Sequence, residues 1–277
     1  MVIQRQKRIA LINDITGFGR CSIAVGLPLI SALKVQACPL PTAILSAHTG
    51  FSQHYMDDYT EHMRPYMENW QALKIKFDGI CTGFLGSAEQ INIVIDFLQM
   101  FKTDQTMILM DPVMGDYGRL YSSYTPAMCR EMKRLVAFAD LVTPNLTEVC
   151  ELLDRPYPKS GWAEKSELLA MAEELCAKGP SKVVITGLSE GDILHNFIYE
   201  KGHESHVVSV KKIGGDRSGT GDAFSAIVAA SLVKGEDLTF AVQKAADFIS
   251  KSLAYTVGLD LPWNYGICFE EYLTELK

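Results

Sequence analysis

The sequence predicts an α/β fold: a doubly wound, mostly parallel sheet with helices on both faces and antiparallel edge strands. Three observations carry this. Short apolar β-type runs alternate with helical patterns from residue 8 to residue 187. A hairpin pattern then flanks Lys201–Gly202, which places antiparallel strands at one edge. Two long helical stretches, 221–235 and 237–256, close the chain.

The elements follow in order. "RIALIND" (8–14) is a short buried strand ending in polar residues, and "SIAVGLPLISAL" (22–33) follows at helical spacing. "VQACPLPTAIL" (35–45) is strand-like. The amphipathic stretch 57–74 is a helix, with Asp57 or Asp58 as its cap. "FDGICTGFLG" (77–86) is a strand running into a glycine turn. In 87–101, Ser87 and Gln90 stand at capping-box spacing before a helix. "TMILMDPVMGD" (106–116) is a strand ending in acid, and 139–153 holds a strand, a turn and a helix. Residues 163–178 form a helix and "KVVITG" (182–187) a strand. No repeat, low-complexity segment or linker divides the chain, so one domain over 1–277 is expected.

The 277 residues are 48% hydrophobic and 21% charged, with a net charge of -7. That balance suits a globular enzyme and disfavours nucleic acid, which needs a basic face. The short run Arg5–Arg8 reads as a solvated tail. The seven cysteines are odd in number and show no Cys-x-x-Cys spacing, so they read as reduced core residues in a cytoplasmic protein. No signal peptide and no membrane span are expected.

In such sheets, ligands bind beyond the carboxyl ends of the strands. Asp14, Thr42, Gly83, Asp111, Asn145 and Thr186 all fall there. "GFGRCS" (17–22) is a degenerate dinucleotide motif, but residues 15–56 hold no Asp or Glu to meet a ribose. The sequence has no Gly-Lys dipeptide, which excludes a Walker-type loop, and it lacks the HRD and DFG elements of protein kinases. The six histidines lack metal spacing. His54, His62, His203 and His206 read as surface residues, and only His48, in "SAHTG", is a site candidate.

The strongest local signal is "GGDRSGTGDAFSA" (214–226). Glycines precede a helix of small apolar residues, and backbone N–H groups at a helix start carry partial positive charge. Gly219, Thr220 and Gly221 therefore form an anion pocket, and Asp222 suits the group that attacks a bound phosphate. The alternative is that Asp222 is only a helix-start acid. A second signal is the set Asp111, Asp116, Asn145 and Glu148 at neighbouring strand ends, suited to Mg²⁺ held through water. Asn145 and Glu148 also fit a capping box, and both roles can hold together.

Together "SGTGDAFSA", "DPVMGD", "TPNLTE", "GFLGSAEQ", "VVITG" and "PTAILSAHTG" resemble the ribokinase-like small-molecule kinases, and more narrowly the pyridoxal (vitamin B6) kinases. The resemblance runs from residue 8 to about 256. Hydroxymethylpyrimidine kinases are closely similar, but often carry Cys where this chain has Asp222. The chain departs from the B6 pattern at Asn13-Asp14, at Phe84 and in "GFGRCS".

The resemblance implies transfer of the ATP γ-phosphoryl group to the 5′-hydroxymethyl of a B6 vitamer. Asp222 would be the base, with Gly219, Thr220 and Gly221 stabilising phosphoryl charge. Asp111, Asp116 and Glu148 would surround Mg²⁺, with a monovalent cation such as K⁺ as a further candidate. Asp116, Asn145, Thr186 and Gly187, with Gly219 and Gly221, would line the nucleotide, and Asp14, Thr42, His48 and Phe84 the aromatic ring. Residues 116–124 read as either a flap over the phosphates or an ordinary surface loop. A homodimer is implied. The enzymatic alternative is a hydroxymethylpyrimidine kinase, and the non-enzymatic one a vitamin-binding protein that kept the fold.

Overall fold

A computed structural model of the chain describes residues 5–276. In chain order the elements are β1 (Arg8–Thr16), α1 (Ser22–Ala32), β2 (Gln36–Leu45), β3 (Met56–Asp58), α2 (Thr60–Ala72), β4 (Gly79–Thr82), α3 (Ala88–Phe101) and β5 (Met107–Met110). Then come β6 (Gly115–Asp116), β7 (Arg119–Leu120), α4 (Pro126–Val136), β8 (Leu141–Val142), α5 (Leu146–Leu152) and α6 (Lys165–Ala177). The rest are β9 (Lys182–Glu190), β10 (Ile193–Glu200), β11 (His206–Lys211), α7 (Thr220–Val233) and α8 (Leu238–Gly258), with two short 3₁₀ turns near the end.

Nine strands form one sheet in the order β11-β10-β9-β8-β5-β4-β1-β2-β3. The six central strands, β9 to β2 in that order, are parallel. Apolar faces close on both sides. Met63 and Met67 of α2 pack with Phe97 of α3, Met132 of α4, Val149 of α5 and Leu175 of α6 on one face. Leu29 and Ile30 of α1 pack with Ile227 of α7 and Val242 of α8 on the other. This is the expected doubly wound arrangement.

Four points differ from the expectations. Antiparallel strands flank both edges, because β3 pairs antiparallel with β2 (Ala43 opposite Asp58). Residues 57–58 therefore belong to a strand, and α2 starts at Thr60 with Tyr59 at its N-cap. Asp58 still accepts the Thr60 N–H at 2.8 Å, so it makes a local bond to the helix start although Tyr59 holds the N-cap position. Helix α4 has no counterpart among the expected elements. Its Thr125 cap, Pro126 at the first turn and buried Met128, Met132, Leu135 and Val136 form an ordinary amphipathic helix. Finally, Arg5 and Lys7 are tied to Asp78 at 2.6 and 3.2 Å, so the basic run is anchored to the loop before β4.

Local chemistry sets the other ends as expected. Ser87 caps α3 by accepting from Gln90 N–H. Asn145 and Glu148 form a complete capping box on α5. All seven cysteines are free, and no helix of the described residues is long and apolar enough to cross a membrane.

Candidate active site

The sheet changes direction of winding between β1 and β4, and the candidate residues gather beyond the carboxyl ends of β1, β4, β5 and β8. Helix α7 aims its N-terminus at this point. Gly219 sits at its N-cap with φ 83°, a left-handed conformation that glycine adopts at no steric cost. A Cβ there would run into the carbonyl oxygen of Arg20. The glycine is thus required twice, by its dihedral and by the close passage of the 19–22 turn. Gly221 meets no such neighbour; a Cβ there would lie 3.7 Å from Asp111 Oδ2.

Asp222, in the first turn of α7, is half-buried. Burial raises its pKa, helped by the nearby charge of Asp14. Hydrogen bonds from the Ser22 backbone and the Asn13 side chain pull the other way, and the net result is about 6. One helical turn further along, Ser225 Oγ donates to Asp111 Oδ2 at 2.9 Å. Burial, then the Asp222 charge, raises the Asp111 pKa. A space of about one water's size lies beneath, walled by Asn13, Ser22, Thr82, Asp111, Asp222 and Ser225.

The ring candidates lie around this point, but most of their polar atoms are engaged. Asp14 accepts from Thr16 Oγ1 and Ser22 Oγ, both at 2.6 Å. Its carboxylate therefore braces the 19–22 turn. Thr42 is fully buried and donates to Phe84 O at 3.0 Å. His48 accepts from Gly50 N–H at Nδ1, which leaves Nε2 to donate to Asn264 O at 2.7 Å. His48 and Phe84 are both half-buried, and the His48 ring packs edge-on against Phe51 at 4.9 Å.

The nucleotide and cation candidates divide similarly. Asn145 uses both ends of its amide, accepting from Glu148 N–H and donating to Gly115 O at 2.8 Å. Glu148 is buried and accepts from Met114 N–H and Asn145 N–H. Burial raises its pKa, with Asp111 adding to the effect. Asp116 is exposed at the tip of the β6–β7 ribbon, where it accepts from Tyr117 N–H. Thr186 is half-buried and bridged to Asn145 across the strand ends; Gly187 is exposed.

Among the described residues no three His, Cys, Asp or Glu side chains converge to ligate a metal directly. Carboxylates spread around an acidic cleft, with Asp111 paired only to a hydroxyl, suit a hydrated cation such as Mg²⁺, which keeps several of its waters. The 116–124 segment forms a small two-stranded ribbon, and Tyr117 OH donates to Asp216 Oδ2 at 2.6 Å, linking it to the glycine stretch.

The sequence reading missed several members of this site. Asn13 Nδ2 donates to Asp222 Oδ1 at 3.0 Å. Arg20 and Arg217 tie the segment 261–265 over the site, through Tyr265 O at 3.2 Å and Pro262 O at 2.8 Å. That segment completes an aromatic cluster: the Phe18 ring lies 4.9 Å from Tyr265, and His48 lies 6.2 Å from Trp263. One signal was available: Asn13 and Asp14 follow a buried apolar run and need hydrogen-bond partners, but Asp14 finds its own nearby at Thr16 and Ser22, and nothing local names Asp222 as the partner of Asn13.

Comparison with known proteins agrees with this fold. A crystal structure from Bacteroides thetaiotaomicron, of a protein provisionally named a phosphomethylpyrimidine kinase and holding pyridoxal, is 37% identical with a TM-score of 0.94. The match covers 98% of this chain and 96% of that one. A pyridoxal kinase from Proteus mirabilis is 25% identical over 77% of each chain. A thiamine biosynthetic bifunctional enzyme from Arabidopsis thaliana is 28% identical over 84% of this chain, which spans 44% of that enzyme's length. The family model described as phosphomethylpyrimidine kinase matches residues 23–263, and the chain belongs to that family of kinases, whose relatives include pyridoxal and hydroxymethylpyrimidine kinases.

Proposed function

We propose that the chain phosphorylates the 5′-hydroxymethyl group of a vitamin B6 vitamer with ATP, and that Asp222 is its general base. The observation that carries this reading is Asp222 itself, set at the N-terminus of α7 beside Gly219 with its pKa pushed up to about 6. A carboxylate near 4 is a poor base at neutral pH; one near 6 matches its task better and is still ionised at pH 7. Phosphoryl transfer asks mainly for positioning and charge stabilisation. The N–H groups of Gly219, Thr220 and Gly221 would meet the charge on the transferred group, in a helix-start field that favours anions. Asp222 would orient the acceptor hydroxyl and take its proton.

Asp111 and Asp116, with Glu148 behind them, would hold a hydrated Mg²⁺, which supplies positive charge beside the phosphates when bound. Asn145 would act mainly by holding Gly115, and with it the start of the 116–124 ribbon, against α5. That ribbon would cover the phosphates, anchored through Tyr117 and Asp216. The aromatic faces of Phe84, His48 and the Phe18 cluster would enclose the ring.

The bound pyridoxal of the Bacteroides relative supports the B6 reading, and so does Asp in place of Cys at 222. The family description favours a second reading, with a hydroxymethylpyrimidine as acceptor. Both acceptors present a hydroxymethyl on an aromatic nitrogen ring, so one site geometry serves either. The resemblance also supports a homodimer and a cytoplasmic setting. The deciding experiment measures kcat/KM for pyridoxal, pyridoxine, pyridoxamine, hydroxymethylpyrimidine and ribose side by side. The proposal expects a B6 vitamer to lead. A lead by the pyrimidine replaces it with the second reading, and ADP release unaffected by every acceptor overturns both.

A further inference from the structure

Asn13, on β1 after the buried run Ile9–Ile12, carries a polar side chain that is 4% exposed. Three independent features place it. First, its hydrogen bonds separate its two ends: Oδ1 accepts from Asp14 N–H at 3.0 Å and from Phe84 N–H at 2.9 Å, while Nδ2 donates to Asp222 Oδ1 at 3.0 Å. Two backbone donors at one end fix the amide orientation, so the NH₂ must face the carboxylate. Second, the β1–β2 register shifts between Asn13 and Ile15. The extra residue is on β2, where Pro41 to Ile44 spans three steps against two on β1 from Asn13 to Ile15, so the regular ladder ends just past Asn13. Third, Gly83 leaves room for the amide; a Cβ there would collide with it.

The carboxylate that Asn13 meets is surrounded by like charge. Asp14 on β1 and Asp111 beyond β5 both face it, and Tyr121 and the Cys21 and Cys81 thiols complete the neighbourhood. Among the described residues, Asn13 is the one side chain that donates a hydrogen bond to it. The other end of the same amide holds the backbone of Phe84, a candidate ring contact on the opposite side of the cleft.

We propose that Asn13 is a positioning residue: it holds one oxygen of Asp222 and the backbone of Phe84 with a single rigid amide, and so sets the spacing between base and ring wall. This rests on the reading of Asp222 as the base. A displacement of the reacting groups by ~1 Å can reduce rate about 10²-fold, so the bridge should act on kcat and not on nucleotide binding. No substitution at 13 touches the phosphate-binding amides directly.

The test uses the full chain and four proteins: wild type, Asn13→Asp, Asp222→Asn, and the double exchange Asn13→Asp with Asp222→Asn. Asn13→Asp keeps both acceptor bonds and turns only the donor into a carboxylate facing Asp222. The acceptor is whichever of pyridoxal and hydroxymethylpyrimidine the wild type phosphorylates faster. Asn13→Asp is expected to lower kcat by about 10²-fold with the KM for ATP within about threefold, and to lower the melting temperature at pH 8. The double exchange restores a donor–acceptor pair, so it should recover the melting temperature without recovering turnover.

Turnover of Asn13→Asp near wild type overturns the proposal. So does failure of the double exchange to regain stability, which would mean that the two side chains are not partners. If Asn13→Asp does not fold, Asn13→Ser is measured instead, with the same kcat loss and ATP KM expected, and near-normal kcat overturning. If Asp222→Asn alone keeps its turnover, the base assignment fails, and the stability of the exchange still judges the pair separately.

Discussion

Ser225 Oγ donates to Asp111 Oδ2 at 2.9 Å, joining the second turn of α7 to the end of β5. The pair matters because Asp111 is crowded: burial and the charge of Asp222 both raise its pKa, and this hydroxyl is what opposes them. Removing the hydroxyl leaves a desolvated carboxylate with its donor gone. Ser225→Ala should therefore reduce unfolding free energy by about 2 kcal/mol at pH 8. The loss should shrink at pH 5, where Asp111 is protonated. Urea unfolding at the two pH values checks both parts.

The same crowding predicts how stability depends on pH. Asp14, Asp111, Glu148 and Asp222 all have raised pKa values, with burial the leading cause for each. A carboxylate with a raised folded pKa binds its proton more tightly in the native state. Its contribution is fully present below the unfolded value, near ~4, and is lost as pH rises through the folded value. The lowered groups Asp78 and Glu236 act in the opposite sense, and only below their ordinary range. Between pH 5 and pH 8 the raised group dominates. The melting temperature without ligands should fall across that interval, and a cation bound in the acidic cleft should recover part of the fall at pH 8.

Gly219 carries two requirements at once, a φ of 83° and contact with the Arg20 carbonyl. Gly219→Ala should cost roughly 1–3 kcal/mol and should also shift the 19–22 turn that Asp14 and Asp222 hold. Gly221→Ala meets only ordinary contact with Asp111 and should fold normally. Thermal melts of the two variants separate them.

What could be read from the sequence was what local rules determine. The Asn145–Glu148 capping box, the Ser87 cap and the helix start after Gly219 each lie within four residues, and all three stand in the structure. The layers were legible because apolar runs and helical periodicity alternate. What escaped was set by distance along the chain. Asn13 and Asp222 are 209 residues apart, and nothing local in either predicts the other. Met56–Asp58 becomes a strand only because the edge of β2 lies beside it. Asp14 and Thr42, expected at the ring, already hold partners within the protein, the Thr16 and Ser22 hydroxyls and the Phe84 carbonyl, because a buried polar group must find a partner whether or not a ligand is present.

The most direct test of the account is turnover of Asp222→Asn with saturating ATP and the preferred acceptor. The account predicts a loss of ~10² or more in kcat, with ADP affinity and the native fold retained. Turnover close to that of the wild type would contradict it.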